Sequence, residues 1–185
     1  WSSDVCSSDL RRHAKAVNFG LIYGISAFGL AKNTGVSRTE AQQFISRYFS
    51  RYPGVRRFME ETAESGEEKG YAVTLMGRRR YLPELKSSNN NTREFGKRAA
   101  MNTPVQGTAA DIIKLAMVRV DQKLKEKGMN SRLILQVHDE LLLECPPEEV
   151  EQAGDLLREC MEHVMELHVP LVADVHEGKN WAEAK

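Results

Sequence analysis

The spacing of apolar and polar positions divides the chain into stretches of helical period and stretches of two-residue period. Residues 11–32, RRHAKAVNFGLIYGISAFGLAK, carry a helix-compatible pattern. Gly20, Gly24 and Gly29 each weaken a helix by about 1 kcal/mol relative to alanine, so they need a packing or functional reason. Ser37-Arg38-Thr39-Glu40 has the form of a capping box, and the helix it opens carries Phe44, Ile45, Tyr48 and Phe49 on one side until Pro53-Gly54 breaks it. A further helix is predicted from Val55 to Lys69, stopped by Gly70. Residues 71–82, YAVTLMGRRRYL, predict a small hairpin turning at Met76-Gly77 with three arginines leaving the turn, and residues 86–91, KSSNNN, predict a polar loop.

A helix from Thr92 to Thr103 follows, broken by Pro104 and Gly107. Thr108-Ala109-Ala110-Asp111 then caps a long helix to Lys127, ended by Gly128. Residues 132–137 (RLILQV) and 140–145 (ELLLEC) are short, strongly apolar runs separated by His138-Asp139, a hairpin in outline. Pro146-Pro147 stops the second run. An acidic amphipathic helix is predicted from Glu148 to Leu167, and residues 170–176 predict one more strand. Helices with a small hairpin, then helix, antiparallel hairpin, helix and strand, predict an α+β fold.

The chain has 185 residues, 41% of them hydrophobic, and a mean hydropathy of −0.47, which predicts a soluble globular protein. No apolar run approaches the ~20 residues that span a bilayer, so no membrane partner is expected. Cys6, Cys145 and Cys160 are too few and too scattered for a disulfide framework or a zinc site, which fits a reducing cytosol. The net charge of zero hides a division: residues 11–100 hold 17 basic against 8 acidic side chains, residues 101–185 hold 9 against 16. A basic half joined to an acidic half suggests a polyanionic partner on one side.

Residues 1–10, WSSDVCSSDL, have no amphipathic period and no signal-peptide pattern. In one frame they back-translate to a common short-read sequencing adapter. They are set aside as an artefact, and the gene is expected to continue upstream.

Three constellations could carry chemistry. Arg11, Lys15, Phe19 and Tyr23 recur every four residues. At 100° per residue each step drifts only about 40°, so they form one gently spiralling stripe. Two cations followed by two rings suit a nucleotide, the cations meeting phosphates and the rings a base and sugar. The same stripe also suits a helix on a domain edge with snorkelling cations. His138-Asp139-Glu140 lies between two apolar strands, so the Asp139 carboxylate stands at a hairpin tip, where a hard cation such as Mg²⁺ could take it. Asp also favours turns for purely local reasons. Arg98, Asn102 and Gln106, again at steps of four, are residue types that reach phosphates and base edges, or simply line a polar helix face.

Together these pieces resemble the C-terminal part of the A-family DNA polymerases in their bacterial form. RRHAKAVNFGLIYG is similar to the family's motif R-x₃-K-x₃-F-x₃-YG on the fingers helix that closes over the incoming nucleotide, and QVHDE at 136–140 to the palm hairpin that bears a metal-binding aspartate. RYPGV at 51–55, GRRRYLP at 77–83, NTPVQGTAADIIK at 102–114 and the closing NWAEAK also follow the family. The resemblance implies an incomplete polymerase domain: residues 11–91 a part of the fingers, residues 92–185 the C-terminal half of the palm, an antiparallel sheet with flanking helices.

The resemblance further implies that Arg11 and Lys15 bind the dNTP triphosphate and that Lys15 protonates the pyrophosphate. Phe19 lies against the sugar, and its lack of a hydroxyl implies discrimination against dideoxynucleotides; Tyr23 stacks near the templating base. Asp139 and, more weakly, Glu140 hold Mg²⁺, His138 contacts the primer end, and Arg98, Asn102 and Gln106 touch primer-template DNA in the minor groove. The implied protein is cytoplasmic, nucleoid-associated and monomeric when full-length, and works by two-metal phosphoryl transfer.

The motif that supplies the family's other metal aspartate is expected upstream of Arg11, so the 185 residues alone are expected to be inert and their apolar hairpin edge to invite aggregation. Two other classes compete with this: a nucleic-acid-binding module without catalysis, and a helical partner-binding protein that uses the stripe as an interface.

Overall fold

The computed structural model describes residues 7–184, apart from the side chains of residues 7–13 and Ala16. The chain divides into two compact units, one ending at Gly107 and the other beginning at Thr108.

In the first unit α1 (Ser7–Ile22) and α2 (Ala27–Thr34) occupy the stretch read as helix-compatible, separated by a turn at Tyr23-Gly24. Residues 1–6 of the adapter-like segment lie outside the described residues, and α1 begins at Ser7 within it. The capping box forms as predicted: Ser37 Oγ accepts the Glu40 amide at 3.2 Å while Glu40 Oε2 accepts the Ser37 amide at 2.9 Å, which starts α3 (Arg38–Arg51). Pro53 opens α4 (Pro53–Lys69) rather than preceding it, because a first-turn residue has no N–H bond to lose. Gly70, at φ 75, ends α4.

The predicted hairpin pairs β1 (Tyr71–Val73) with β2 (Arg79–Tyr81) antiparallel. A 3₁₀ turn at Pro83–Lys86 leads to α5 (Asn90–Asn102), whose start falls inside the expected polar loop because Asn89 Oδ1 accepts the Asn91 amide at 2.9 Å and the Thr92 amide at 3.3 Å. The core of this unit joins Ala72, Leu82, Leu85, Ala99 and Ala100, and α4 and α5 lie close where Gly66 faces Ala100.

At Pro104 the predicted break is instead a π turn, Thr103–Gly107. Proline has no N–H for the regular α ladder, and the chain widens rather than stops. The Thr103 hydroxyl donates to the Ala99 carbonyl at 2.6 Å beside it. Since α5 packs on α4 and on the 3₁₀ turn, it belongs to the first unit, which runs to Gly107.

The second unit holds α6 (Thr108–Glu126), β3 (Arg132–Val137), β4 (Glu140–Glu144), a 3₁₀ turn at Pro147–Glu149 and α7 (Val150–Glu162). Its core joins Ala116, Val120 and Leu124 of α6 to Leu141 of β4 and to Leu156, Cys160 and Val164. β3 and β4 pair antiparallel from Arg132↔Glu144 to Val137↔Glu140, with an irregularity between Leu133 and Leu135 that leaves Ile134 exposed. Two expectations are corrected here. α7 ends at Glu162 rather than Leu167, where Arg119 from α6 donates to the His163 carbonyl and takes up a helix-terminal acceptor. Residues 170–176 form no strand: no strand among the described residues pairs with them, and the Ala173 amide donates to a Glu162 carboxylate oxygen instead. The class remains α+β, with two two-stranded antiparallel sheets among the described residues.

Candidate nucleotide and nucleic-acid site

From Lys15 to Tyr23 the side chains follow one another as the four-residue spacing dictates. Lys15 Nζ lies 5.8 Å from the Phe19 ring centroid, and the Phe19 and Tyr23 rings are 6.1 Å apart and tilted. Phe19 is 48% exposed, too open for a core ring, whereas Leu21 on the opposite side of the helix is buried and anchors it. The position of Arg11 is on α1, but its side chain is outside those described. Tyr23 is the first residue past the helix, its amide still donating to the Phe19 carbonyl at 2.9 Å.

Gly24 explains why the helix stops there. Its φ is +73°, and a Cβ would come within 2.7 Å of Met101 Cε and 3.3 Å of Arg98 Cγ. The backbone therefore lies directly on α5. This contact sets Tyr23 into an open pocket lined by Arg80, Phe95, Arg98, Asn102 and Gln106. The π turn keeps Gln106 in line with Arg98 and Asn102, since a wider turn offsets the forward drift of four-residue steps. One atom here has no partner: Asn102 Oδ1 is buried and accepts no hydrogen bond among the described residues.

Arg80 and Phe95 are pocket residues that sequence reasoning did not single out. Three consecutive arginines leave the hairpin turn, and each takes a different place: Arg78 Nη2 donates to the Gly107 carbonyl at 3.0 Å, Arg79 lies 5.0 Å over the Tyr71 ring, and Arg80 reaches the pocket. Strand alternation separates Arg79 from Arg80; the sequence signals three cations but not which one faces Tyr23.

In the second unit the strands are closed by the Val137↔Glu140 pair, which makes His138-Asp139 a two-residue turn. His138 has φ 53, the only positive value at a non-glycine residue among those described. Turns of this kind use positive φ to match the twist of the strands, and glycine normally supplies it. The Gln136 amide Nε2 donates to the His138 carbonyl at 2.6 Å and holds the strained residue in place. Asp139 is exposed, and among the described residues no hydrogen bond or ion pair occupies its carboxylate. The Trp181 indole Nε1 donates to Glu140 Oε2 at 3.3 Å.

Asp139 and Glu140 are hard oxygen donors, right in kind for Mg²⁺, which usually takes one or two carboxylates together with substrate phosphates. Among the described residues no three metal-binding side chains cluster, so these two fit as part of a ligand set rather than as a complete cage.

The chain belongs to DNA polymerase family A, whose family model matches residues 2–183. It is 53% identical over 184 residues to DNA polymerase I of Bacillus caldotenax, covering 100% of this chain and 21% of that protein. It is 56% identical over 178 residues to DNA polymerase I of Pseudomonas aeruginosa, covering 96% of this chain and 20% of that protein. The chain thus spans about a fifth of the length of the curated relatives it matches. A solved structure, the POL domain of Pol1 from M. smegmatis in complex with DNA primer-template and dNTP, matches with a TM-score of 0.92 at 47% identity, over 98% of this chain and 32% of that one.

Proposed function

We propose that these residues are part of a template-directed DNA polymerase that adds deoxynucleotides to a primer 3′ end, in replication and repair. In this reading residues 11–91 belong to its fingers and 92–185 to the C-terminal half of its palm. The observation that carries it is the gathering of Tyr23, Arg98, Asn102 and Gln106 around one pocket, in a chain of family A whose solved relative holds primer-template and dNTP.

Arg11 and Lys15 bind the triphosphate, and Lys15, at the start of the exposed stripe, gives a proton to the departing pyrophosphate as the primer 3′-oxygen bonds to the α-phosphorus. Phe19 supports the sugar and Tyr23 the base pair. Arg98, Asn102 and Gln106 hold the minor groove, whose acceptors are shared by all pairs and whose one extra donor is the guanine amino group. His138 steadies the primer end, and Asp139 with Glu140 contributes carboxylates to the Mg²⁺ site. When bound, Mg²⁺ supplies activation of the primer hydroxyl and neutralisation of developing phosphate charge. In this reading the full-length protein acts as a monomer in the bacterial cytoplasm at the nucleoid.

In this reading Asp139 is one of two aspartates that hold the ion pair and the other comes from the family's other metal motif, so we assign no extension activity to the 185 residues by themselves. The test is a complete family A polymerase in which residues 11–184 of this chain replace the matching segment. Lys15→Ala and Asp139→Ala should each abolish primer extension while leaving the fold intact. Extension that survives both changes refutes the reading.

A further inference from the structure

The last described residues close on themselves in a way that serves the hairpin tip. Asn180 Oδ1 accepts the amides of Ala182 at 3.1 Å and Glu183 at 3.2 Å. Glu183 answers with Oε1 on Asn180 Nδ2 at 2.6 Å and Oε2 on the Lys179 amide at 3.1 Å. This is capping-box logic, an N-cap residue and a glutamate three positions on, spent on a single turn. Gly178 lies beneath it: a Cβ there would meet the Ala184 nitrogen at 2.7 Å and the Glu183 carbonyl carbon at 2.8 Å, both backbone, so the turn admits no side chain. What this knot presents is Trp181, 38% exposed, with its indole N–H on Glu140.

We infer that Trp181 is a positioning residue for Glu140, held by the 178–184 knot so that the carboxylate beside Asp139 is pre-set for a divalent cation. The inference rests on the polymerase reading of the hairpin tip. The chemistry of the donor explains the choice of tryptophan. An indole donates one hydrogen bond and carries no charge. It takes one of the two carboxylate oxygens, restricts the rotamers of an exposed glutamate, and leaves the second oxygen and the full negative charge for the cation. Lysine or arginine at the same place would compete with the cation for that charge.

The test uses the complete polymerase carrying residues 11–184 of this chain. Trp181→Phe keeps an aromatic ring in the knot and removes the N–H with the five-membered ring that carries it. It should raise the Mg²⁺ concentration for half-maximal extension about tenfold, the low end of what losing the hydrogen-bond partner of a metal ligand costs. The rate at saturating Mg²⁺ should stay near wild type, and the shift should vanish when Glu140→Gln is already present. A readout without turnover is Mn²⁺ binding followed by electron paramagnetic resonance, which should weaken by the same factor.

An unchanged Mg²⁺ requirement and Mn²⁺ affinity in Trp181→Phe, with Asp139→Asn still abolishing extension, overturns the positioning role and leaves the polymerase reading standing. Full extension in Asp139→Asn overturns that reading and this inference with it. A Trp181→Phe protein that loses saturating rate and melting temperature together, at unchanged Mn²⁺ affinity, shows a tail anchor and overturns the inference.

Discussion

Glu149 closes on Ser131: its Oε2 accepts the Ser131 amide at 2.8 Å and the Ser131 hydroxyl at 2.6 Å, while Oε1 takes the Asn130 amide at 2.9 Å. One carboxylate thereby ties the residues that precede β3 to the turn that opens α7. Only the ionised form accepts all of these bonds, and they hold the Glu149 carboxyl below its ordinary range, the Ser131 hydroxyl first and the Asn130 amide next. A lowered folded-state value gives stability that is complete above the unfolded-state pKa, about 4.3, and is lost as pH falls through the lowered one. Glu149→Gln should therefore melt earlier than wild type at neutral pH, with the gap closing in acid. Thermal melts at a series of pH values check this; a gap that stays constant assigns the effect to shape rather than charge.

Gly24→Ala should destabilise the first unit. A left-handed backbone costs an L-residue about 1–2 kcal/mol. The new methyl would also press on Met101 Cε. Met101→Ala removes that clash but not the backbone cost, so the double variant should recover only in part. Because Gly24 seats Tyr23 beside Arg98, DNA affinity of the complete polymerase should fall even at temperatures where the variant is folded. Full rescue by Met101→Ala would show that the conformation of Gly24 is not what matters.

The local signals in the sequence translate well where a side chain and its backbone partner lie within four residues. Ser37 with Glu40, Gly70 past α4 and His138-Asp139 between two apolar runs all do what their spacing predicts. The stripe from Lys15 to Tyr23 is legible for the same reason, since helical period alone fixes it. The misses depend on distant partners. Arg119, far along the chain from α7, takes the His163 carbonyl where that helix ends. Residues 170–176 look like a strand, but a strand needs a neighbour and no strand among the described residues pairs with them. The selection of Arg80 over Arg78 and Arg79 follows from hairpin register and from the Gly107 carbonyl, neither of which a run of three arginines encodes.

Leu156 and Glu144 should differ in how much their loss costs the second unit. Leu156 is 2% exposed within the α6–α7 core. Truncation to alanine leaves a cavity and should cost about 2–5 kcal/mol. Glu144 pairs with Arg132 across the hairpin, Nη2 to Oε2 at 2.7 Å, with side chains 73% and 59% exposed. Glu144→Gln should cost under about 1 kcal/mol, since solvent and salt screen such a pair. Urea unfolding of the two variants gives the comparison, and a large loss in Glu144→Gln would mean the pair is more protected than its exposure implies.

Asn102 should show stability and DNA binding pulling apart. Its Oδ1 is buried without an acceptor bond satisfied, on a pocket that also holds Arg98 and Gln106. A buried acceptor left unmade costs the free protein on the order of 1–3 kcal/mol, which natural structures rarely tolerate without use. A duplex minor groove offers the missing partner, the amino group of guanine. If binding recovers what folding gave up, Asn102→Leu, similar in volume and without the orphaned oxygen, should hold or raise the melting temperature of the free protein. The same change should weaken affinity for primer-template DNA, most at duplexes with a G·C pair at the contacted step. A side chain needed only for packing would show the reverse order, with stability lost and DNA affinity kept. Differential scanning calorimetry of the free protein and fluorescence anisotropy with G·C and A·T duplexes separate the two outcomes.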